Sequence, residues 1–361
     1  MEGLLMFEKL TIKSVFRDYH VDFITDFAGC LKYLRREGDY FFTDAKILEL
    51  YPVIRQVAGD NLWEVNASEE AKSYEGVIPL IQRLVMGGFR KNHRVIAIGG
   101  GITQDIAAFV ASMLYRGVDW YFFPTNVLTQ CDSCIGSKTS INFRNYKNQL
   151  GGFYPPTGIF IDTNFIKSLG EREIASGLGE MLHYFLLTSE DDLRLFMHYA
   201  PQLRNGGQGL DVLMHRSLAI KKAMIEIDEF DKGPRNIFNY GHSFGHALES
   251  ALRYIVPHGI AVSYGIDLAN FVSANLGLLP MGERNRFRNA CEVVFKGCNL
   301  PDVDMECYFS ALQKDKKNVD NKLGLILTRG IGDMFKEVIN IDDIKEIIVK
   351  FYDDKIYLYD V

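Results

Sequence analysis

The sequence predicts an α/β domain built on a parallel sheet over residues 1–165, followed by a mainly α-helical domain over 166–361. In the first stretch, short apolar runs halted by Gly, Pro or Asp alternate with helix-like segments. In the second, long amphipathic segments dominate and strand-like runs are few. A hydrophobic fraction of 47% with 24% charged residues across 361 residues is that of a globular chain able to bury a large core.

Each element follows from its residues. Tyr40-Phe41-Phe42-Thr43 ends at Asp44, and Arg94-Val95-Ile96-Ala97-Ile98 is stopped by Gly99-Gly100-Gly101. A helix is expected from Thr103 to Tyr115. Trp120-Tyr121-Phe122-Phe123 then halts at Pro124, and Ile159-Phe160-Ile161 at Asp162. These runs are continuously apolar rather than alternating, which marks strands covered on both faces and hence a parallel sheet. Beyond residue 166, helical periodicity is expected over Glu171–Leu187, Val212–Asp228, Asn239–Tyr254 and Ala261–Leu276, with one clear strand at Leu323–Leu327. No Pro/Gly-rich linker separates the halves, so a shared cleft is expected.

Composition narrows the partners. Forty basic residues against 46 acidic ones give a net charge of −6, which argues against nucleic-acid binding. Six scattered cysteines do not form a disulfide framework. No signal peptide is apparent, and no apolar run nears the roughly 18 residues of a membrane span. A cytoplasmic, reduced protein with no membrane partner is expected.

Four constellations could carry chemistry. Gly99-Gly100-Gly101-Ile102-Thr103-Gln104-Asp105 joins a strand to a helix N-terminus, where free N–H groups and missing side chains suit a pyrophosphate. It is not the usual dinucleotide fingerprint, and a plain tight turn is the competing reading. Gly241-His242-Ser243-Phe244-Gly245-His246 precedes Pro257-His258-Gly259. His242 and His246 fall at i and i+4 of a helix, good geometry for two ligands of one metal ion, with His258 or a distant carboxylate completing the site. Ser243 stands where a metalloprotease needs Glu, so that reading fails. Arg235 and Asn239, at i−7 and i−3 on the same expected helix, suit an anionic substrate. Cys131 and Cys134 form a C-x-x-C without a second pair or a thioredoxin-like context. The neighbouring Asp132, Lys138, Lys147 and Asn148 are the more informative residues, since lysines beside glycines commonly meet phosphate. Gln313-Lys314-Asp315-Lys316-Lys317-Asn318, a basic cluster before a strand, taken alone reads as a solvated turn.

In this order and spacing the motifs resemble the 3-dehydroquinate synthase and sugar phosphate cyclase family. The likeness runs through Gly99–Gly101 with Asp105, Tyr115-Arg116-Gly117, Phe123-Pro124-Thr125, Asp132–Lys138, Lys147-Asn148 and Ala175–Glu180. It continues through Arg235–His246, His258-Gly259 and Asp315-Lys316-Lys317, spanning about residues 40–335. The resemblance implies a Rossmann-like nucleotide-binding domain and a helical metal domain, with the active site between them. It implies Glu180, His242 and His258 as ligands of a divalent metal, zinc or cobalt, with His246 near the substrate phosphate instead. For NAD it implies Asp44, Glu69, Lys72, Gly100, Gly101, Asp105, Thr125 and Lys147. For a sugar-phosphate substrate it implies Lys138, Asn148, Asn239, His246 and Lys316 or Lys317 at the phosphate, and Arg235 with Lys221 or Lys222 at the carboxylate. Asp132, Lys138, His183, Lys222, Arg235, Asn239, His246 and Lys317 form the expected catalytic set. Arg116, Asn148, Lys221 and Lys316 are the further substrate contacts, with Arg116 reaching the neighbouring subunit of a homodimer.

The implied activity is cyclisation of a seven-carbon 2-keto-3-deoxy sugar acid phosphate with phosphate release, as in aromatic amino acid biosynthesis. A cyclase making another cyclitol, or a metal-dependent polyol dehydrogenase, are the alternatives. Three departures bear on this choice. His183 stands where the family has lysine, Asn126 replaces a threonine, and Ser137 replaces a glycine.

Overall fold

The computed structural model describes residues 7–144, 146–203, 207–314 and 322–358. The chain divides into two units, Met1–Leu169 with Lys221–Phe230, and Gly170–Ile220 with Asp231–Val361. Each is described by itself.

In the first unit, β1 (Leu10–Ile12), β2 (Tyr19–Ile24) and α1 (Phe27–Leu34) lead to β3 (Asp39–Thr43), α2 (Ala45–Leu50), α3 (Val53–Ala58) and β4 (Leu62–Glu64). There follow α4 (Tyr74–Met86), β5 (Arg94–Gly99), α5 (Gly101–Met113), β6 (Trp120–Pro124), a hairpin of β7 (Lys138–Phe143) and β8 (Tyr146–Phe153), and β9 (Gly158–Asp162). Seven strands form one sheet in the order β1-β2-β9-β6-β5-β3-β4, in which only the β1–β2 pair is antiparallel. Every residue of β3, β5 and β9 is buried, which is why their sequences are apolar without alternation. Phe27, Phe41, Ile96, Phe123, Phe160 and Phe165 pack as one cluster of this core. The chain runs from β3 outward to β4, then returns to β5 and proceeds the other way to β6 and β9. The sheet therefore reverses direction between β3 and β5, the place where open α/β sheets bind ligands beyond their strand carboxyl ends.

The second unit holds α6 (Glu171–Leu186), α7 (Glu190–Leu203), α8 (Leu210–Ile227), α9 (His242–Ala251), α10 (His258–Asn275), α11 (Met281–Phe295) and α12 (Met305–Gln313). An antiparallel hairpin, β10 (Lys322–Gly330) with β11 (Asp333–Asn340), and α13 (Ile341–Asp353) complete it. The residues of α8 from Lys221 onward belong to the first unit. Helix α10 is buried from Gly259 to Ser273 and is apolar nearly all round, as a central helix must be. No described helix is long and apolar enough to cross a membrane.

One expected helix begins late. Pro234–Asn239 is a 3₁₀ turn, Tyr240 is extended, and Gly241 takes a left-handed φ of 77°, so α9 starts only at His242. Arg235 and Asn239 are therefore not on the helix that carries His242, and the i−7 and i−3 spacing has no geometric meaning.

Candidate active site

In the second unit, glycines decide where the ligand-type residues meet. A Cβ on Gly259 would lie 1.7 Å from the Ser176 carbonyl oxygen, and one on Gly179 would lie 2.0 Å from the Gly259 carbonyl oxygen. Helices α6 and α10 thus touch backbone to backbone, and the Gly259 amide donates to Ser176 Oγ at 3.0 Å. This close approach sets Glu180, on α6, beside His258, the first residue of α10. His242, the first residue of α9, joins them.

Glu180 is buried, with Oε1 3.4 Å from His242 Nε2 and Oε2 3.3 Å from His258 Nε2. His242 Nδ1 donates to the Tyr240 carbonyl at 3.2 Å, and His258 Nδ1 donates to Glu249 Oε2 at 3.0 Å. A carbonyl and a carboxylate can only accept, so each Nδ1 carries a proton and each Nε2 points toward the Glu180 carboxylate as the atom left to bind a metal. Glu180 Oε2, buried, makes no hydrogen bond of good geometry. Burial would raise the Glu180 carboxyl, but His242 and His258 hold it well below the usual range. Burial would lower His258, but Glu180 and Glu249 hold it well above its ordinary value. One carboxylate and two imidazole nitrogens, all converging and demanding positive charge, fit a divalent metal such as zinc.

His246 sits one turn along α9 and is exposed, its ring 5.6 Å from that of His242 and stacked 5.5 Å from that of His258. Spacing alone could not choose between His246 and His258. His183 is buried, Nδ1 3.9 Å from Glu180 Oε1, with its ring against Tyr184, Phe238 and His242. Arg235 is buried in the 3₁₀ turn, and Asn239 Nδ2 donates to the Asn236 carbonyl. Glu249 was not foreseen, although a carboxylate three residues after His246 on one helix is a readable signal.

In the first unit, the residues expected at NAD follow the carboxyl ends of β3, β4, β5 and β6, except Lys147, which lies in β8. Asp44 caps α2 through the Ile47 amide. Lys72 is buried and pairs with Asp105 at 2.6 Å, a carboxyl that burial pushes up and Lys72 opposes. Lys147 Nζ lies 3.9 Å from Glu69, whose carboxylate also accepts from Asn142. Gly100 caps α5, Gly101 opens it, and the buried Thr125 donates its amide to the Gly99 carbonyl. Asn126 accepts from the Thr129 amide and hydroxyl, and its Nδ2 occupies the space where a Gly100 Cβ would be, 2.6 Å away.

The polar loop lies in the same unit. Lys221 Nζ donates to the Asp132 carboxylate and carbonyl, both at 2.7 Å, whereas Lys222 pairs with Glu226 on its own helix. Lys138 opens β7, and Asn148, at φ 54°, accepts from Ser140 Oγ. Arg116 sits at φ 63° on the exposed turn after α5. Cys131 and Cys134 are buried and donate to the Leu128 and Gln130 carbonyls, and burial pushes the Cys134 thiol up to about 12. Both thiols thus sit in the core rather than in the exposed, electropositive setting of a reactive cysteine. Lys316 and Lys317, with Asp315 and Asn318, lie outside the described residues.

The comparisons with known proteins agree over most of the chain. Residues 62–176 match the 3-dehydroquinate synthase N-terminal family model and residues 177–318 the C-terminal one. The chain belongs to the 3-dehydroquinate synthase family. The 3-dehydroquinate synthase of Idiomarina loihiensis is 33% identical over 287 residues, 78% of this chain and 80% of that protein. The enzyme of that name from Streptococcus pyogenes serotype M3 is 31% identical over 341 residues, 90% and 94% of the two chains. A solved 2-deoxy-scyllo-inosose synthase, complexed with carbaglucose-6-phosphate, NAD+ and Co2+, aligns with a TM-score of 0.85 at 22% identity, over 94% of this chain and 99% of that one. The 3-dehydroquinate synthase family thus shares its fold with cyclases of other products.

Proposed function

We propose that this chain is a 3-dehydroquinate synthase: it converts a seven-carbon 2-keto-3-deoxy sugar acid phosphate into a carbocycle, releasing phosphate. The observation that carries the reading is the Glu180, His242 and His258 cluster with both Nδ1 atoms committed to acceptors, in a chain of this family. Those three residues would hold the divalent ion, and Asp44, Glu69, Lys72, Gly100, Gly101, Asp105, Thr125 and Lys147 would hold NAD. When bound, NAD supplies a hydride acceptor that later returns the hydride, and the ion polarises the oxygen being oxidised. Lys138, Asn148, Asn239 and His246 would bind the phosphate that leaves by elimination, with Lys316 or Lys317. Arg235 with Lys221 would orient the carboxylate; the Lys221–Asp132 pair favours Lys221 over Lys222 for this part. The ring then opens and closes by an intramolecular aldol step. The protein's share is positioning and charge stabilisation.

We further propose a cytoplasmic homodimer working in the shikimate pathway, with Arg116 reaching the neighbouring subunit. Exposed Met113 and Tyr115 beside Arg116 support that contact.

The test supplies purified protein with NAD+, zinc and the seven-carbon acid phosphate. Phosphate release without net NADH is expected; stoichiometric NADH would mark a polyol dehydrogenase instead. A second reading, a cyclase of another cyclitol, is favoured by His183, buried beside the triad where the family carries lysine. It gains ground if the seven-carbon acid is not turned over and His183→Lys confers that turnover.

A further inference from the structure

Ser137 holds a φ of 64°, a left-handed conformation unfavourable for a non-glycine residue, and it is buried immediately before Lys138. Three contacts hold it there. Its hydroxyl donates to Glu229 Oε1 at 2.9 Å, its carbonyl accepts from the Tyr154 amide at 2.6 Å, and the preceding Gly136 amide donates to Tyr19 Oη at 2.9 Å. Glu229 is itself buried and accepts two further bonds, from Ser14 Oγ at 2.7 Å and the Val15 amide at 2.8 Å. Eight residues earlier, Lys221 grips Asp132 at the other end of the same loop. The returning segment 221–230 thus fastens the loop 132–137 at both ends, and all of these residues lie in the first unit.

We propose that Glu229 is a positioning residue for substrate phosphate, acting through the Ser137 hydroxyl to fix the direction in which Lys138 leaves the loop. This rests on the reading that Lys138 meets the phosphate. It also gives Ser137 a purpose: the hydroxyl that a glycine lacks is the handle by which the buried carboxylate holds the strained residue.

Steady-state kinetics with the acid phosphate, competition by inorganic phosphate and direct NAD binding test it on the full chain. For Glu229→Ala, KM for the acid phosphate and the inhibition constant of inorganic phosphate should rise together by about tenfold, with kcat within about twofold. NAD affinity should be unchanged. Glu229→Gln keeps an acceptor for both serine hydroxyls and should return KM to within about threefold of the native value. Ser137→Gly, whose backbone accepts φ 64° without strain, keeps the fold secure and should raise both constants by roughly threefold. If Ser137→Gly and Glu229→Ala leave both constants unchanged, or if NAD affinity falls in step with them, the proposal is overturned alone. A native chain that turns over without competition by inorganic phosphate overturns the phosphate reading, and the proposal with it.

Discussion

Glycines stand beside the ligand-type residues of each unit, and they do opposite things there. At the turn after β5, a Cβ on Gly101 would meet nothing nearer than Thr129 Cγ2 at 3.8 Å, an ordinary contact. At the α6–α10 crossing, a Cβ on Gly259 would sit 1.7 Å from a carbonyl oxygen. At Gly101 the missing side chain leaves the helix N-terminal backbone uncovered, as a bound anion would need, although Gly99 and Gly100 beside it are packed against Thr103 and Asn126. The α6–α10 crossing omits side chains so that two helices can touch and bring a glutamate to a histidine. One residue type therefore leaves backbone uncovered at Gly101 and brings backbone together at Gly259, and only surroundings tell which.

Substitutions can break or sharpen this contrast. Gly259→Ala should be the most damaging, since the clash is with backbone that cannot move aside. A loss of about 3 kcal/mol of stability or more is expected, with metal content falling too, read by thermal unfolding and metal analysis. His242→Ala should remove metal binding and turnover while circular dichroism stays native; unchanged metal content would refute its place in the triad. Glu249→Ala should keep the fold but weaken metal affinity about 10–100-fold, because His258 loses the acceptor that orients it. Gly101→Ala should be mildest, leaving the melting temperature unchanged and weakening NAD about tenfold through lost backbone approach. Equal NAD affinity would show that the pyrophosphate is not held at this turn.

Much of the fold could be read from residues because its strands are buried on both sides. Arg94–Ile98 and Ile159–Ile161 declare themselves as uninterrupted apolar runs. Strand β11 does not, because it is largely exposed and its sequence mixes Lys336 and Glu337 with apolar residues. The site was harder. Helical spacing put His242 and His246 on one side of a helix but could not select His258, which begins a different helix. Glu180 lies on α6, far away in sequence, and no local pattern ties it to the histidines; only the family resemblance did. Arg235 and Asn239 were misplaced because helical periodicity carries no mark of a 3₁₀ turn, and Gly241, the residue that restarts the chain, was read only as a flank. The C-x-x-C, already set aside for want of a second pair or a thioredoxin-like context, is also buried, which spacing cannot show.

The discontinuity of the first unit bears on how the chain is made. A ribosome that has released residues up to 169 has delivered the whole sheet, yet Asp132 still lacks Lys221 and Ser137 still lacks Glu229. Those partners arrive only after Gly170–Ile220, a stretch of the other unit, has emerged. The nucleotide half can gather its core early, but its polar loop must wait for a late-arriving clasp. Cutting the gene at the apparent domain boundary would yield a sheet whose loop never closes.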